Sequence, residues 1–301
     1  MFDRLILSEE IIDCRGAPVA ARGAVLSLEA IAEAARRAPA LPRRALEETP
    51  LAEDVEATLG ERVYRHLFGG DAVRDALRRA LLSVRFPDIV FEELLAIRRA
   101  GSQLHAHAFA TAAVAVRMLL CAVRGARGVP DLAAAALVHD LGMRHLPPRL
   151  LRQRERLGHE DALRIAAHPF VGAYHLASVL GPHPAVTAAQ SHHWRCGQGY
   201  PVLGRSPSRS VEVISVASAF AALTQSRSFR PDPYDARGAC DVLAAEAVGG
   251  CADANTVKLL VHALRGGRGD PRSVRFGRER TGHGPEVNPY RHVAAPSRST
   301  V

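Results

Sequence analysis

Ten of the fourteen histidines in this 301-residue chain lie between His105 and His193, in a stretch otherwise dominated by alanine, leucine and valine. A single histidine in such a setting is ordinarily a satisfied core or surface residue. A series punctuated by His139-Asp140, His168-Pro169 and His192-His193 is less ordinary, because neutral imidazoles with a carboxylate form a ligand set for iron, manganese or zinc.

The apolar spacing agrees with helices. Residues 101–265 read as almost wholly helical with alanine-rich faces, and upstream Val63 and Leu67, then Val73, Leu77 and Leu81, recur at three or four residues. The apolar run 132–138 ends on His139-Asp140. Adjacent helical residues are about 100° apart, so both side chains can reach one ion near the helix end; a capped helix end with a His–Asp hydrogen bond is the equal alternative. Asp131 after Pro130 predicts a helix cap and Gly142 a stop. His168-Pro169 opens a helix with proline in its first turn, and Gly172 leaves room for close packing. Asp253 starts a helix that closes at Leu264.

Short strands are expected at 5–7, 11–12 and 25–26 between turn signals. Ser27 then caps a helix over Leu28–Arg37, a Pro-rich linker follows at 38–42, and a further helix runs over Asp88–Arg99 after Phe86-Pro87. The expected organisation is a small β/α module over 1–45, a helical linker region over 46–100, a helical domain over 101–265 and a basic Gly/Pro/Arg-rich tail over 266–301. Residues 273–276 read as one strand, and the last ten residues as disordered.

Charge and cysteine usage narrow the function. Net charge is +8, and seven arginines against three acids in the tail supply half of it. Lys258 is the only lysine, so the arginine excess reads as compositional bias; with no pattern of aromatic interleaving, nucleic acid is not the expected partner. The five cysteines form no CxxC pair, which argues against a disulfide framework or a cysteine zinc site. The longest apolar stretch, 106–123, is broken by His107 and Arg117, so no membrane span is expected. The acidic start MFDRLILSEE lacks a leader's apolar core, and a cytoplasmic protein is expected.

Taken in order, five pieces resemble the HD-GYP family, a branch of the HD-domain metal-dependent phosphohydrolases. They are His107; His139-Asp140-Leu141-Gly142-Met143; His168-Pro169-Phe170-Val171-Gly172; the run from His192-His193 to Gly199-Tyr200-Pro201; and the apolar stretch from Val216 through Leu223-Thr224 to Arg227 and Arg230. The family patterns are a first His, then HDxGK, HPxxG, HHExxDGxGYP, and an Asp-bearing helix ahead of ALTxxRPYR. The resemblance spans roughly 100–265, and 13–23 is also similar to the small amino-terminal module of some members. It implies a mainly α fold: an HD-domain helical bundle preceded by a small β-containing amino-terminal module and a helical linker. It also implies hydrolysis of cyclic di-GMP at a centre of one or two divalent ions, iron or manganese. Asp140, His168, His192 and His193 would hold one ion, and His107, His139 and the shared Asp140 the other. Asp140 and His139 would be catalytic, with Arg227, Arg230 and Tyr200 on the substrate side.

The chain departs from the pattern where the chemistry lies. Met143 replaces a lysine and Ser218 a metal-binding aspartate, while His193-Trp194-Arg195-Cys196 replaces His-Glu-x-x-Asp with one residue fewer. That deletion leaves two alignments: His192 and His193 both as ligands, or a slip that puts Ser191 at a ligand position. His105 competes with His107 but points to the opposite face, and spacing favours His107. Gln103 leaves no Glu for a third ion. Two ions bring four positive charges, of which one aspartate and a bridging anion offset only two, so a weak second ion, a single-ion site or none is expected. The expected function is therefore a phosphohydrolase domain acting on or sensing cyclic di-GMP with impaired catalysis. The alternative is an inactive signalling module that binds a nucleotide or a partner protein.

Overall fold

The computed structural model describes residues 4–101, 103–123, 128–201, 206–277, 279 and 281–286. The expected disorder of the last ten residues lies outside them. The fold is mainly α. Strands β1 (Arg4–Ile6) and β4 (Val25–Ser27) form one antiparallel ribbon, with Leu5 opposite Leu26. Strands β2 (Ile11–Ile12) and β3 (Pro18–Ala20) form a second, and β5 (Arg44–Ala45) pairs with β6 (Arg85–Phe86). Ser27 caps α1 (Leu28–Arg37), its hydroxyl accepting the Ala30 N–H at 3.2 Å, as its residue type predicts.

The remaining helices follow as α2 (Ala52–Gly60), α3 (Asp71–Leu82), α4 (Asp88–Arg99), α5 (Gln103–Ala122), α6 (Val129–Leu137), α7 (Pro148–Leu151), α8 (His159–Ala166), α9 (His168–Leu180), α10 (Pro184–Ser191), α11 (Arg209–Thr224), α12 (Ala236–Val248) and α13 (Ala254–Leu264). Helix α5 is the axis, packed on α6, α11, α13, α2 and α3. It is long and apolar enough to cross a membrane, but 72% of its apolar window is buried inside the fold. Its Ala110, Ala112, Ala113 and Ala115 are fully buried; such small side chains let neighbouring helices approach closely. Its Arg117 spans the core edge and donates to the Leu67 carbonyl at 2.9 Å. Buried apolar residues from β1–α1 through α13 form one continuous core.

Three local expectations are corrected. Helix α6 is N-capped by Gly128, with Asp131 in its first turn, where the helix dipole favours a carboxylate. It ends at Leu137, so His139-Asp140 lie in the turn beyond it. Gly142 belongs to the following 3-10 turn, Leu141–His145. A Cβ on Gly142 would stand 2.0 Å from the His168 carbonyl oxygen and one on Gly172 2.8 Å from the Gly142 nitrogen, so these glycines are needed where this turn presses against α9. Residues 273–276 form no strand. A 3-10 turn, Pro271–Ser273, is capped by Asp270, and Val274 and Phe276 turn towards the core.

Candidate metal centre

Five segments carry one polar cluster into the middle of the helical array. His107 comes from α5, His139 and Asp140 from the turn after α6, His168 from the first residue of α9, His192 and His193 from the end of α10, and Ser218 from α11. The ring of His139 is fully buried, and those of His107, His168 and His192 nearly so. The ligating atoms of Asp140, His168, His192 and His193 lie within 4.8 Å of one another, and those of His107, His139 and Asp140 form a second such group. Asp140 joins the two. Its Oδ1 is 3.2 Å from His168 Nε2 and 3.1 Å from His192 Nε2, and its Oδ2 is 3.5 Å from His107 Nε2 and 3.6 Å from His139 Nε2.

Backbone carbonyls set the tautomers. Nδ1 of His139 donates to the Ala136 carbonyl at 2.7 Å, Nδ1 of His168 to Ile165 at 2.6 Å, and Nδ1 of His192 to Ala189 at 3.0 Å. A carbonyl only accepts, so each proton is on Nδ1 and each Nε2 lone pair faces the cluster, the orientation that metal-bound histidines share. His168 Nε2 and His192 Nε2 are 3.3 Å apart, and both face Asp140 Oδ1. Three acceptors thus converge with no proton of their own, and a cation at their centre reconciles them. The residues present fit a divalent metal ion there.

The second group is satisfied differently. Ser218 Oγ is 3.2 Å from Nε2 of both His107 and His139. His107 Nδ1 has no partner among the described residues, so that ring is free to carry its proton on Nε2. A chain from His107 Nε2–H to Ser218 Oγ, and from Ser218 O–H to His139 Nε2, uses every facing atom without an ion.

Electrostatics follow burial. Desolvation pushes His139 down to about 4 and lowers His107 and His193 well below the usual imidazole range. These rings are neutral and ready to ligate at pH 7. Burial opposes ionisation of Asp140, but the surrounding imidazoles of His139, His168 and His192 outweigh it and hold the carboxyl well below its usual range.

The other predicted residues fall around this cluster. His105 faces away, its Nε2 3.2 Å from Asp54. Ser191 closes α10 and belongs to neither ligand group, whereas His192 and His193 share one. Tyr200 stacks on His193 with ring centroids 4.7 Å apart. The half-buried Arg227 feels desolvation first and the Asp140 charge second. Arg230 does not reach the cluster: its guanidinium caps the last carbonyls of α11 at Ala222, Leu223 and Gln225 and stacks on Tyr234. Met143 packs its side chain against the core. The shortened loop after His193 has a feature that the sequence pattern did not reveal. Arg195 and Cys196 adopt φ of 46° and 55°, ahead of Gly197 at 84°, a left-handed run that non-glycine residues rarely enter.

No family model matches the chain. A stretch of 97 residues, 31% of this chain, is 35% identical to 3'3'-cGAMP-specific phosphodiesterase 1 of Vibrio cholerae serotype O1, and it spans 22% of that protein's length. Among solved structures, Bd1817, a HDG"Y"P protein from Bdellovibrio bacteriovorus, is similar at a TM-score of 0.46 and 15% identity, over 79% of this chain and 77% of that one. The helical array gathers its histidines around one aspartate in a site suited to divalent metal. The ordered His-Asp, His-Pro-x-x-Gly and Gly-Tyr-Pro motifs seated on this cluster are similar to those of the HD-GYP family.

Proposed function

We propose that the protein is an HD-GYP domain that binds one divalent ion, iron or manganese, through Asp140, His168, His192 and His193, and that acts weakly on a cyclic dinucleotide or senses it. The observation that carries this reading is the convergence of His168 Nε2, His192 Nε2 and Asp140 Oδ1, each ring oriented by a backbone carbonyl. When bound, such an ion supplies Lewis-acid polarisation of a phosphoryl oxygen and lowers the pKa of water. The chain's own residues bind and orient around it. Asp140 aligns both groups, and Tyr200, stacked on His193, brings an aromatic ring to the edge of the cluster. Arg227 brings positive charge towards Asp140 from a half-buried position and meets a phosphate there. The cyclic dinucleotide class is supported by the phosphodiesterase relative and by the family motifs.

Impaired catalysis is supported by Ser218. Its hydroxyl satisfies His107 and His139 where a second ion would need an anionic ligand. The same observation favours the binding-module reading over full activity.

The test is elemental analysis of untagged protein purified without air, followed by incubation with cyclic di-GMP and 3'3'-cGAMP in the presence of Mn2+ or Fe2+. About one ion per chain is expected, with slow turnover that His139→Ala abolishes, or dinucleotide binding without turnover. A chain that takes up no metal and binds neither dinucleotide overturns the reading.

A further inference from the structure

Glu93 on α4, 1% exposed, is the only fully buried carboxylate among the described residues. A buried charge is tolerated only when paired and hydrogen-bonded, and its partners come from distant parts of the chain. The backbone N–H of Cys14 donates to its Oε1 at 2.6 Å, the Arg144 guanidinium forms an ion pair with it, Nε lying 2.6 Å from Oε2, and His175 Nε2 of α9 lies 3.7 Å away. Arg144 also donates from Nη1 to the Ile12 carbonyl at 3.1 Å. Beside it, Glu92 takes Arg15 through two hydrogen bonds, at 2.5 and 2.8 Å. The turn of the β2–β3 hairpin is therefore docked on α4 and tied to Arg144 by its own backbone.

Arg144 is four residues beyond Asp140, in the 3-10 turn Leu141–His145, whose Met143 N–H donates to the Asp140 carbonyl at 2.9 Å. The turn is held from two sides. Gly142 presses its backbone against the start of α9, and Arg144 anchors its far end to α4 and the hairpin. Asp140 must serve four imidazoles with two oxygens, so a small rotation of its backbone disturbs both groups at once.

We propose that Arg144 is a positioning residue for Asp140, and that the β2–β3 hairpin, through Ile12 and Cys14, is a working part of the metal centre. This rests on reading the cluster as a metal site. The pair then does more than stabilise the fold: it transmits the hairpin's docking to the residue shared by both ligand groups. Whatever lifts the hairpin off α4 removes the Cys14 N–H from Glu93 and the Ile12 carbonyl from Arg144, and frees the Asp140 turn.

The experiment uses the full chain and Mn2+ as probe. Arg144→Met keeps side-chain length and removes the charge, Arg144→Lys keeps the charge, and Val55→Ala in α2 loosens the core away from the turn. Calorimetry reads Mn2+ affinity, and amide hydrogen exchange on the metal-free protein reads residues 11–17 and 138–143. Arg144→Met is expected to weaken Mn2+ binding about 10–100-fold, the usual scale for losing a group that orients a ligand, and to speed exchange in both segments together. Arg144→Lys recovers part of each, and Val55→Ala lowers Tm while leaving both unchanged. Mn2+ affinity within twofold of the parent, or faster exchange in the hairpin alone, overturns the proposal. Should the parent bind no Mn2+, the metal reading fails, and the exchange data alone decide whether hairpin and turn move together. If Arg144→Met does not fold, Glu93→Gln, which keeps shape and removes charge, carries the same comparison.

Discussion

Ser218 Oγ lies 3.2 Å from Nε2 of His139, whose other nitrogen is committed to the Ala136 carbonyl. The serine hydroxyl is therefore the donor, and the lone pair that would take a second ion is already occupied. Ser218→Asp replaces that donor with an anionic acceptor. Metal content is expected to rise from about one towards two ions per chain. In the metal-free protein, two carboxylates facing each other lower Tm, and added Mn2+ raises it again. Elemental analysis and thermal melts with and without metal check this; unchanged stoichiometry would show that Ser218 does not limit the second group.

Contact between Gly142 and α9 makes a stability prediction. A Cβ at Gly142 stands 2.0 Å from the His168 carbonyl oxygen and 2.7 Å from the Gly172 nitrogen. Backbone on both sides leaves nothing flexible to yield. Gly142→Ala is expected to cost roughly 1–3 kcal/mol, the range for forcing atoms into a packed core, and to lower metal affinity, because His168 itself must shift. Gly60→Ala, with nothing within 4 Å, is expected to be neutral or slightly stabilising. Equal melting temperatures for the two variants would contradict this packing argument.

How much of this was legible in the sequence depends on whether local or tertiary forces decide. Ser27 and Asp253 fix their helix starts through their own side chains, and both helices were readable to the residue. The histidine series announced a cluster because its residue types have few other reasons to share one apolar region. The end of α6 was not legible, since Ala-Leu-Val runs on without a stop signal and the turn at His139 is imposed by packing against α9. Arg230 matched a phosphate-binding pattern, yet it sits on the carbonyls of α11 because a tight turn, with backbone bonds of 2.9 Å between Arg227 and Arg230 in both directions, folds it back. Glu93 and Arg144 showed no local signature at all, and nothing in the sequence paired His145 with His175. Only the tertiary structure brings them together.

His145 and His175 set a pH dependence. His145 Nε2 and His175 Nδ1 are 3.1 Å apart, and burial pushes these rings down to about 3 and about 4. The unfolded chain binds protons at both near pH 6.5, while the folded chain refuses them until much lower pH. Stability is therefore complete above about pH 6.5 and declines as pH falls towards 4, because the unfolded state binds more protons throughout that window. By pH 5 the loss is on the order of 2 kcal/mol per ring. Thermal melts from pH 7 to pH 5 are expected to fall, with a shallower slope in a His145→Leu/His175→Leu double variant. An equal slope in that variant would assign the acid sensitivity elsewhere.

The two ligand groups make opposite predictions for two single substitutions. His192 belongs to the group in which three acceptors meet without a proton, Asp140 Oδ1 lying 3.1 Å from its Nε2. His107 belongs to the group that Ser218 satisfies. If the ion sits where it is electrostatically needed, His192→Ala removes a ligand outright and drops metal content to near zero. His107→Ala leaves content close to that of the parent and opens only a small void beside Ser218. Both rings are almost fully buried, so both variants lose packing, and a fall in Tm does not separate them. Metal content measured on folded protein does, because only one of the two rings is asked to donate a lone pair to the cation. The reverse pattern, metal retained in His192→Ala and lost in His107→Ala, would move the ion to the group of His107, His139 and Asp140, with the Ser218 hydroxyl beside it.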